Sequence, residues 1–150
     1  MIDGVIIKPL KQIPDERGCI IKMQESTDAE FAGFGEVYFS TVFPGVVKGW
    51  HLHEANVLNY SVVRGMIKLV MHDKREGSPS FGETQEVFLG DRNRVLVQIP
   101  AGVWNGFKGI GTEEAIVCDL TTLPHADDVM HRHDPHDRAF IDYDWARQDR

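Results

Sequence analysis

Short β-branched runs, each cut off by glycine, proline or an acidic turn, recur along the whole chain. Val5-Ile6-Ile7 leads into Lys8-Pro9, and Pro14-Asp15-Glu16-Arg17-Gly18 reads as a turn before the run Cys19 to Met23. Glu36 to Val42 is closed by Pro44-Gly45, and Leu58 to Met71 reads as a hairpin bent at Arg64-Gly65. Glu86 to Leu89 stops at Gly90-Asp91, Arg94 to Ile99 stops at Pro100-Ala101-Gly102, and Ala115 to Cys118 follows Gly109-Ile110-Gly111. Short strands at roughly 8–12-residue spacing signal an all-β sandwich or barrel. Amphipathic stretches long enough for crossover helices are missing, which excludes an α/β alternation. The helix candidates are short, Asp28 to Phe31 and Ala126 to Met130. With no repeat, linker or low-complexity tract, the expectation is one domain over residues 1–150.

Charge narrows the partners. Lys plus Arg number 16 against 23 Asp plus Glu, a net charge of −7. A protein that neutralises phosphates along a nucleic acid or an anionic membrane needs a basic face, so neither partner is expected. No apolar run approaches the ~20 residues of a membrane span, and Met1-Ile2-Asp3-Gly4 opens no signal-peptide pattern. Cys19 and Cys118 form no C-x-x-C pair and fit a reduced, cytoplasmic setting.

Among seven histidines, the strongest local pattern is Gly45-Val46-Val47-Lys48-Gly49-Trp50-His51-Leu52-His53. Two histidines two apart on a strand face the same side, here the inside of a barrel. The spacing is that of a first cupin motif, with Leu58 where a metal-binding cupin carries a carboxylate. Pro100-Ala101-Gly102-Val103-Trp104-Asn105 has the form of the second motif, with Asn105 in place of its histidine. Tight Zn, Fe or Mn sites take three or four protein ligands, so two imidazoles point away from a metal. His131-Arg132-His133-Asp134-Pro135-His136 resembles a metal tract by composition alone. Pro135 breaks any regular face there, and the expectation is an inert, solvated segment. Phe140, Ile141, Tyr143 and Trp145 give the C-terminal residues enough apolar surface to dock on the barrel.

These residues together resemble the dTDP-4-dehydrorhamnose 3,5-epimerases. Val47-Lys48-Gly49-Trp50-His51 is similar to their V-x-R-G-L-H strand, and Asp15-Glu16-Arg17-Gly18 to an early D-x-R-G turn. Val62-Val63-Arg64-Gly65, Gly77-Ser78-Pro79-Ser80-Phe81-Gly82 and Ile99-Pro100-Ala101-Gly102-Val103-Trp104-Asn105-Gly106-Phe107 follow in the family's order, and Asp142-Tyr143-Asp144-Trp145 is similar to a late element. The resemblance implies a cupin jelly-roll barrel with a short C-terminal irregular or helical segment. It also implies a homodimer acting without metal or other cofactor on a nucleotide-activated 4-keto sugar, for surface-polysaccharide or deoxysugar synthesis.

A 4-keto group acidifies the neighbouring C–H bonds, so a base, an enolate stabiliser and an acid on the opposite face suffice for epimerisation. The resemblance puts His51 in the position of the base, and Arg17 and Lys48 in positions that hold the diphosphate. It also marks departures. The family's catalytic lysine falls on Leu58, its strand tyrosine near Val117 or Cys118, and its H-G-F histidine on Asn105. Replacement acids are Tyr38 and Tyr60. Glu36, His53, Asn59 and Asn105 are candidates for hydrogen bonds to sugar or enolate, and Trp50 and Trp104 for the mouth of the barrel, Trp104 as a stacking surface. Two alternatives stay open at this point: a binding barrel that has lost catalysis, and a small metal-dependent cupin using His51 and His53.

Overall fold

The computed structural model describes residues 1–149. Its regular elements are β1 (Ile6–Pro9), β2 (Lys11–Asp15), β3 (Gly18–Lys22), β4 (Glu36–Val42), β5 (Val47–His53) and β6 (Leu58–Arg64). They continue with β7 (Met66–Asp73), β8 (Thr84–Gly90), β9 (Val95–Ile99), β10 (Val103–Ile110), β11 (Ala115–Thr121), a 3₁₀ turn (His125–Asp127) and β12 (Met130–Arg132). No α-helix occurs among the described residues, and so none is long and apolar enough to cross a membrane. Asp28 to Phe31 is a turn, and the expected helix Ala126 to Met130 is instead the 3₁₀ turn running into β12.

Two five-stranded antiparallel sheets face each other as a jelly roll, ordered β1-β9-β6-β11-β4 and β12-β5-β10-β7-β8, while β2 and β3 pair only with each other. Alternation builds the core. Leu58, Tyr60 and Val62 of β6 point inward to meet Ile67, Leu69 and Met71 of β7 and Val95, Val97 and Ile99 of β9. Phe107 closes one end against Tyr60, edge to face at 6.0 Å.

A second apolar cluster lies on the outer face of the β5-containing sheet, where Trp50 and Val70 are covered by Ile141 and Trp145. The Trp50 and Trp145 ring centroids are 5.0 Å apart, and the Trp145 indole donates to the Pro135 carbonyl at 3.0 Å. Lys108 and Lys68 donate to the Trp145 carbonyl at 2.9 and 3.4 Å. The C-terminal segment is thus bolted to the barrel, and this anchoring positions β12 beside β5.

Candidate active site

The site begins with an irregularity in β5. Asn105 of β10 pairs with His51, yet Phe107 pairs with Lys48, so Gly49 and Trp50 oppose the single residue Gly106. Such a bulge re-aims side chains on the bulged strand. Here it lets Lys48 and His51, three positions apart, both face the cavity while Trp50 packs on the outer face. Glycine is required at the crossing: a Cβ on Gly49 would stand 2.8 Å from the Gly106 Cα, and one on Gly106 would stand 3.0 Å from the Gly49 Cα.

The cavity measures about 660 Å³, a size ordinary for a small-molecule site. One wall is β5, with Lys48, His51 and His53, joined by Met130 and Arg132 of β12. The other is the facing sheet, with Glu36, Tyr38 and Ser40 of β4, Tyr60 of β6 and Asp119 of β11. Lys48 donates to the Ser40 hydroxyl at 3.1 Å across the gap. His53 is buried, and its Nδ1 lies 2.6 Å from an Asp128 carboxylate whose other oxygen accepts from the Ala55 N–H at 3.0 Å.

Burial pushes His51 down to about 4, helped by the positive charges of Arg132 and Lys48 and by neighbouring His53. The imidazole is therefore uncharged at neutral pH, as a base must be. On the facing wall the Tyr38 hydroxyl donates to Asp119 Oδ2 at 2.7 Å. Burial, then the negative charge of Asp119, raises Tyr38 well above the ordinary phenol range. Burial also pushes Asp119 up to about 7, the hydrogen bond from Tyr38 only partly opposing it. Tyr60 is fully enclosed and donates to Asn105 Oδ1 at a long 3.4 Å.

Of the expected residues, the structure brings Glu36, Tyr38, Lys48, His51, His53 and Tyr60 to one cavity. Asn105 is buried behind it, joined through Tyr60. Four lie elsewhere. Asn59 neighbours Tyr60 on β6 and so points out of the opposite face, where it donates to the Leu120 carbonyl and accepts from Gln98. Trp104, between inward Val103 and Asn105, packs outward edge-on against Phe140 at 4.9 Å, and Trp50 is buried on that same side, so neither borders the mouth. Arg17 sits at the exposed tip of the β2–β3 hairpin, paired with Asp15.

The C-terminal histidine tract departs most from expectation. It is no inert tail: Arg132 pairs with His51 strand to strand, His125 lines the cavity, and the Asp128 between them holds His53. Asp119, Asp128 and His125 received no functional role from the sequence, and Arg132 fell in the segment expected to be inert. Asp119 carried a usable signal, a lone carboxylate at an inward position of an otherwise apolar strand. No cluster of three metal-ligating side chains occurs among the described residues.

The sequence profile of the dTDP-4-dehydrorhamnose 3,5-epimerases matches residues 1–149. The chain belongs to this family. A dTDP sugar isomerase from Desulfovibrio desulfuricans G20 has the same fold at a TM-score of 0.92, with 38% identity covering 99% of this chain and 94% of that one. The probable low-salt glycan biosynthesis epimerase Agl13 of Haloferax volcanii is 33% identical over 147 residues, 96% of this chain and 94% of its own. The spore coat polysaccharide biosynthesis protein SpsL of Bacillus subtilis is 31% identical over 146 residues, 97% of each. As a member of this epimerase family the chain is an isomerase, of the kind found in polysaccharide and nucleotide-sugar biosynthesis. At the positions where the resemblance expects a catalytic lysine and, near Val117 or Cys118, a tyrosine, Leu58 and Val117 are packed in the core and Cys118 is buried.

Proposed function

We propose that this protein is a metal-independent epimerase or isomerase of a nucleotide-activated 4-keto sugar, with His51 as base and Tyr38 as the acid on the opposite face. One observation carries the reading: an uncharged imidazole and a tyrosine hydroxyl stand on opposite walls of one cavity sized for a sugar. Epimerisation needs two proton-transfer groups on the two faces of a planar enolate, and this arrangement supplies them. Tyr38 is favoured over Tyr60 because it is half-exposed, whereas Tyr60 belongs to the core.

Lys48 and Arg132 are the cations of the cavity and suit a diphosphate, while His53, fixed by Asp128, and Glu36 offer hydrogen bonds to the ring. Metal independence is supported by the donor set, since His51, His53 and His125 line the cavity without coming together, among the described residues, as the three or four ligands a tight site takes. The free thiols of Cys19 and Cys118 suit a cytoplasmic enzyme. A homodimer completes the reading, since the exposed β2–β3 hairpin pairs with neither sheet of its own chain.

The test is deuterium entry from solvent into a panel of dTDP- and UDP-linked 4-keto sugars. Wild-type protein is expected to exchange the proton beside the ketone, and His51→Ala to lose at least about 10²-fold of that rate. No exchange above the His51→Ala control on any member overturns the assignment, and tight binding without exchange indicates a sugar-nucleotide-binding barrel instead.

A further inference from the structure

One buried acid in the cavity remains without a task. Asp119 lies on the middle strand of three, directly across from Tyr38 on β4 and Tyr60 on β6. Its side chain is inaccessible to solvent, yet it lines the cavity. Oδ2 accepts from Tyr38 at 2.7 Å, while Oδ1 is buried with no hydrogen-bond partner among the described residues. An ionised carboxylate with an orphaned buried oxygen is costly, whereas a carboxylic acid tolerates that setting far better. No basic side chain pairs with it among the described residues, so its proton is not held off by a salt bridge.

We propose that Asp119 acts through Tyr38 as the proton reservoir of the wall facing His51. The inference rests on the epimerase reading above and assigns Asp119 as a positioning and relay residue. Tyr38 alone is a poor acid, because burial and the charge of an ionised Asp119 hold its proton tightly. Protonated at Oδ2, Asp119 removes that repulsion, reverses the 2.7 Å hydrogen bond so that the carboxyl donates to the phenolic oxygen, and replaces the proton as it leaves.

The step balances. The His51 imidazole takes the proton beside the ketone, and the C–H electron pair moves onto the carbonyl oxygen. The new C–H bond then forms on the other face with the Tyr38 hydroxyl proton, while the Asp119 carboxyl proton passes to the phenolic oxygen and the enolate collapses to the ketone. His51 is left as imidazolium and Asp119 as carboxylate. Loss of a proton to water by the first and gain of one from water by the second restore the start.

The relay predicts a pH window. On its own sheet Asp119 is faced by Glu36 and Tyr38 of β4 and by Tyr60 of β6, with Cys118 next in the chain. Across the cavity stand Lys48, His51 and His53 of β5, Arg132 of β12, and His125. Within that surrounding, burial keeps His51 uncharged above about 4 and Asp119 protonated up to about 7. Inversion therefore requires a pH between the two.

The experiment follows, in D₂O, both total deuterium entry and inversion of the 4-keto sugar nucleotide that the wild type exchanges. In Asp119→Asn, inversion is expected to fall about 10²-fold or more while exchange with retention through His51 persists, and the alkaline limb near pH 7 is expected to disappear. Tyr38→Phe, at a half-exposed position, is expected to show the same split and serves as the second variant. Wild-type inversion with an unchanged alkaline limb in Asp119→Asn overturns the relay and leaves the epimerase reading standing, whereas the same result in Tyr38→Phe overturns the relay together with Tyr38 as the acid. Absence of exchange in the wild type overturns both.

Discussion

Asp73 shows how much a single buried carboxylate does outside the cavity. It accepts from the Arg75 guanidinium at 2.9 and 2.8 Å, from the Ser78 and Ser80 hydroxyls at 2.6 Å each, and from the Arg75 N–H at 2.9 Å. The Gly77-Ser78-Pro79-Ser80-Phe81-Gly82 motif is thereby explained as the loop that wraps this anion, away from the cavity. The Arg75 hydrogen bond, with those of both serines, outweighs burial and holds Asp73 well below the usual carboxylate range. A lowered folded-state value stabilises above the unfolded value of about 3.9 and is lost as pH falls below it. Asp73→Asn leaves Arg75 partly buried without its anion, so it is expected to cost about 3 kcal/mol in urea unfolding at pH 7. The variant should also lose much of the wild-type decline in stability below about pH 4. An Asn variant as stable as wild type at pH 7 would contradict this account.

At the scale of elements, the decisive feature is the bulge that turns β5 between Lys48 and His51. Gly49→Ala pushes a methyl against the Gly106 backbone, which has no side chain to swing aside. The expected cost is about 1–3 kcal/mol, read as a fall in melting temperature. A second consequence is weaker binding of a dTDP-sugar, because Lys48 and His51 lose their shared direction; unchanged affinity at lowered stability would separate the two roles. Most strands were legible in the chain as β-branched runs between turn residues, but β2 and β10 were not. Pro14 and Asp15, read as part of a turn, end β2, and Val103–Ile110 is interrupted by Gly106 and Gly109 and offers no β-branched run. His51, His53, Tyr38 and Lys48 were legible too, through period two and family spacing. The missing part was the wall made by β12. A three-residue strand of Met130, His131 and Arg132 has no apolar alternation to announce it, and it exists because Trp145 and Ile141, further along, anchor the segment on the outer sheet. Asn59 and Trp104 failed for the converse reason, each adjacent to an inward residue and so facing outward.

Across the whole molecule, one element is left without a partner. All residues of β2 and β3 are exposed, and the hairpin pairs with neither sheet. A lone two-stranded hairpin is marginal in water. This one also presents Ile13 and Ile20, which are register partners 44% and 64% exposed, the residue pair a covering surface would bury. The exposed Val37 and Phe39 of β4, an edge strand of the barrel, add a second uncovered apolar surface. A second copy of the chain offers such surface to cover the hairpin, which is the physical case for the proposed homodimer. The same assembly gives Arg17 a purpose. It lies outside the cavity of its own chain, and we propose that the cation which the family resemblance assigns to the diphosphate acts on the cavity of the other copy. Ile13→Asp with Ile20→Asp is accordingly expected to sediment as a monomer at concentrations where the wild type is a dimer. Arg17→Ala, altering an exposed side chain, is expected to remain dimeric with an unchanged melting temperature and to raise KM at least several-fold. Mixing Arg17→Ala with a His51→Ala chain separates a shared site from a self-contained one: in a mixed dimer only the subunit with intact His51 and a partner's intact Arg17 regains the wild-type KM. A wild type that sediments as a monomer, or a mixture that keeps the KM of Arg17→Ala, would rule out the crossed arrangement.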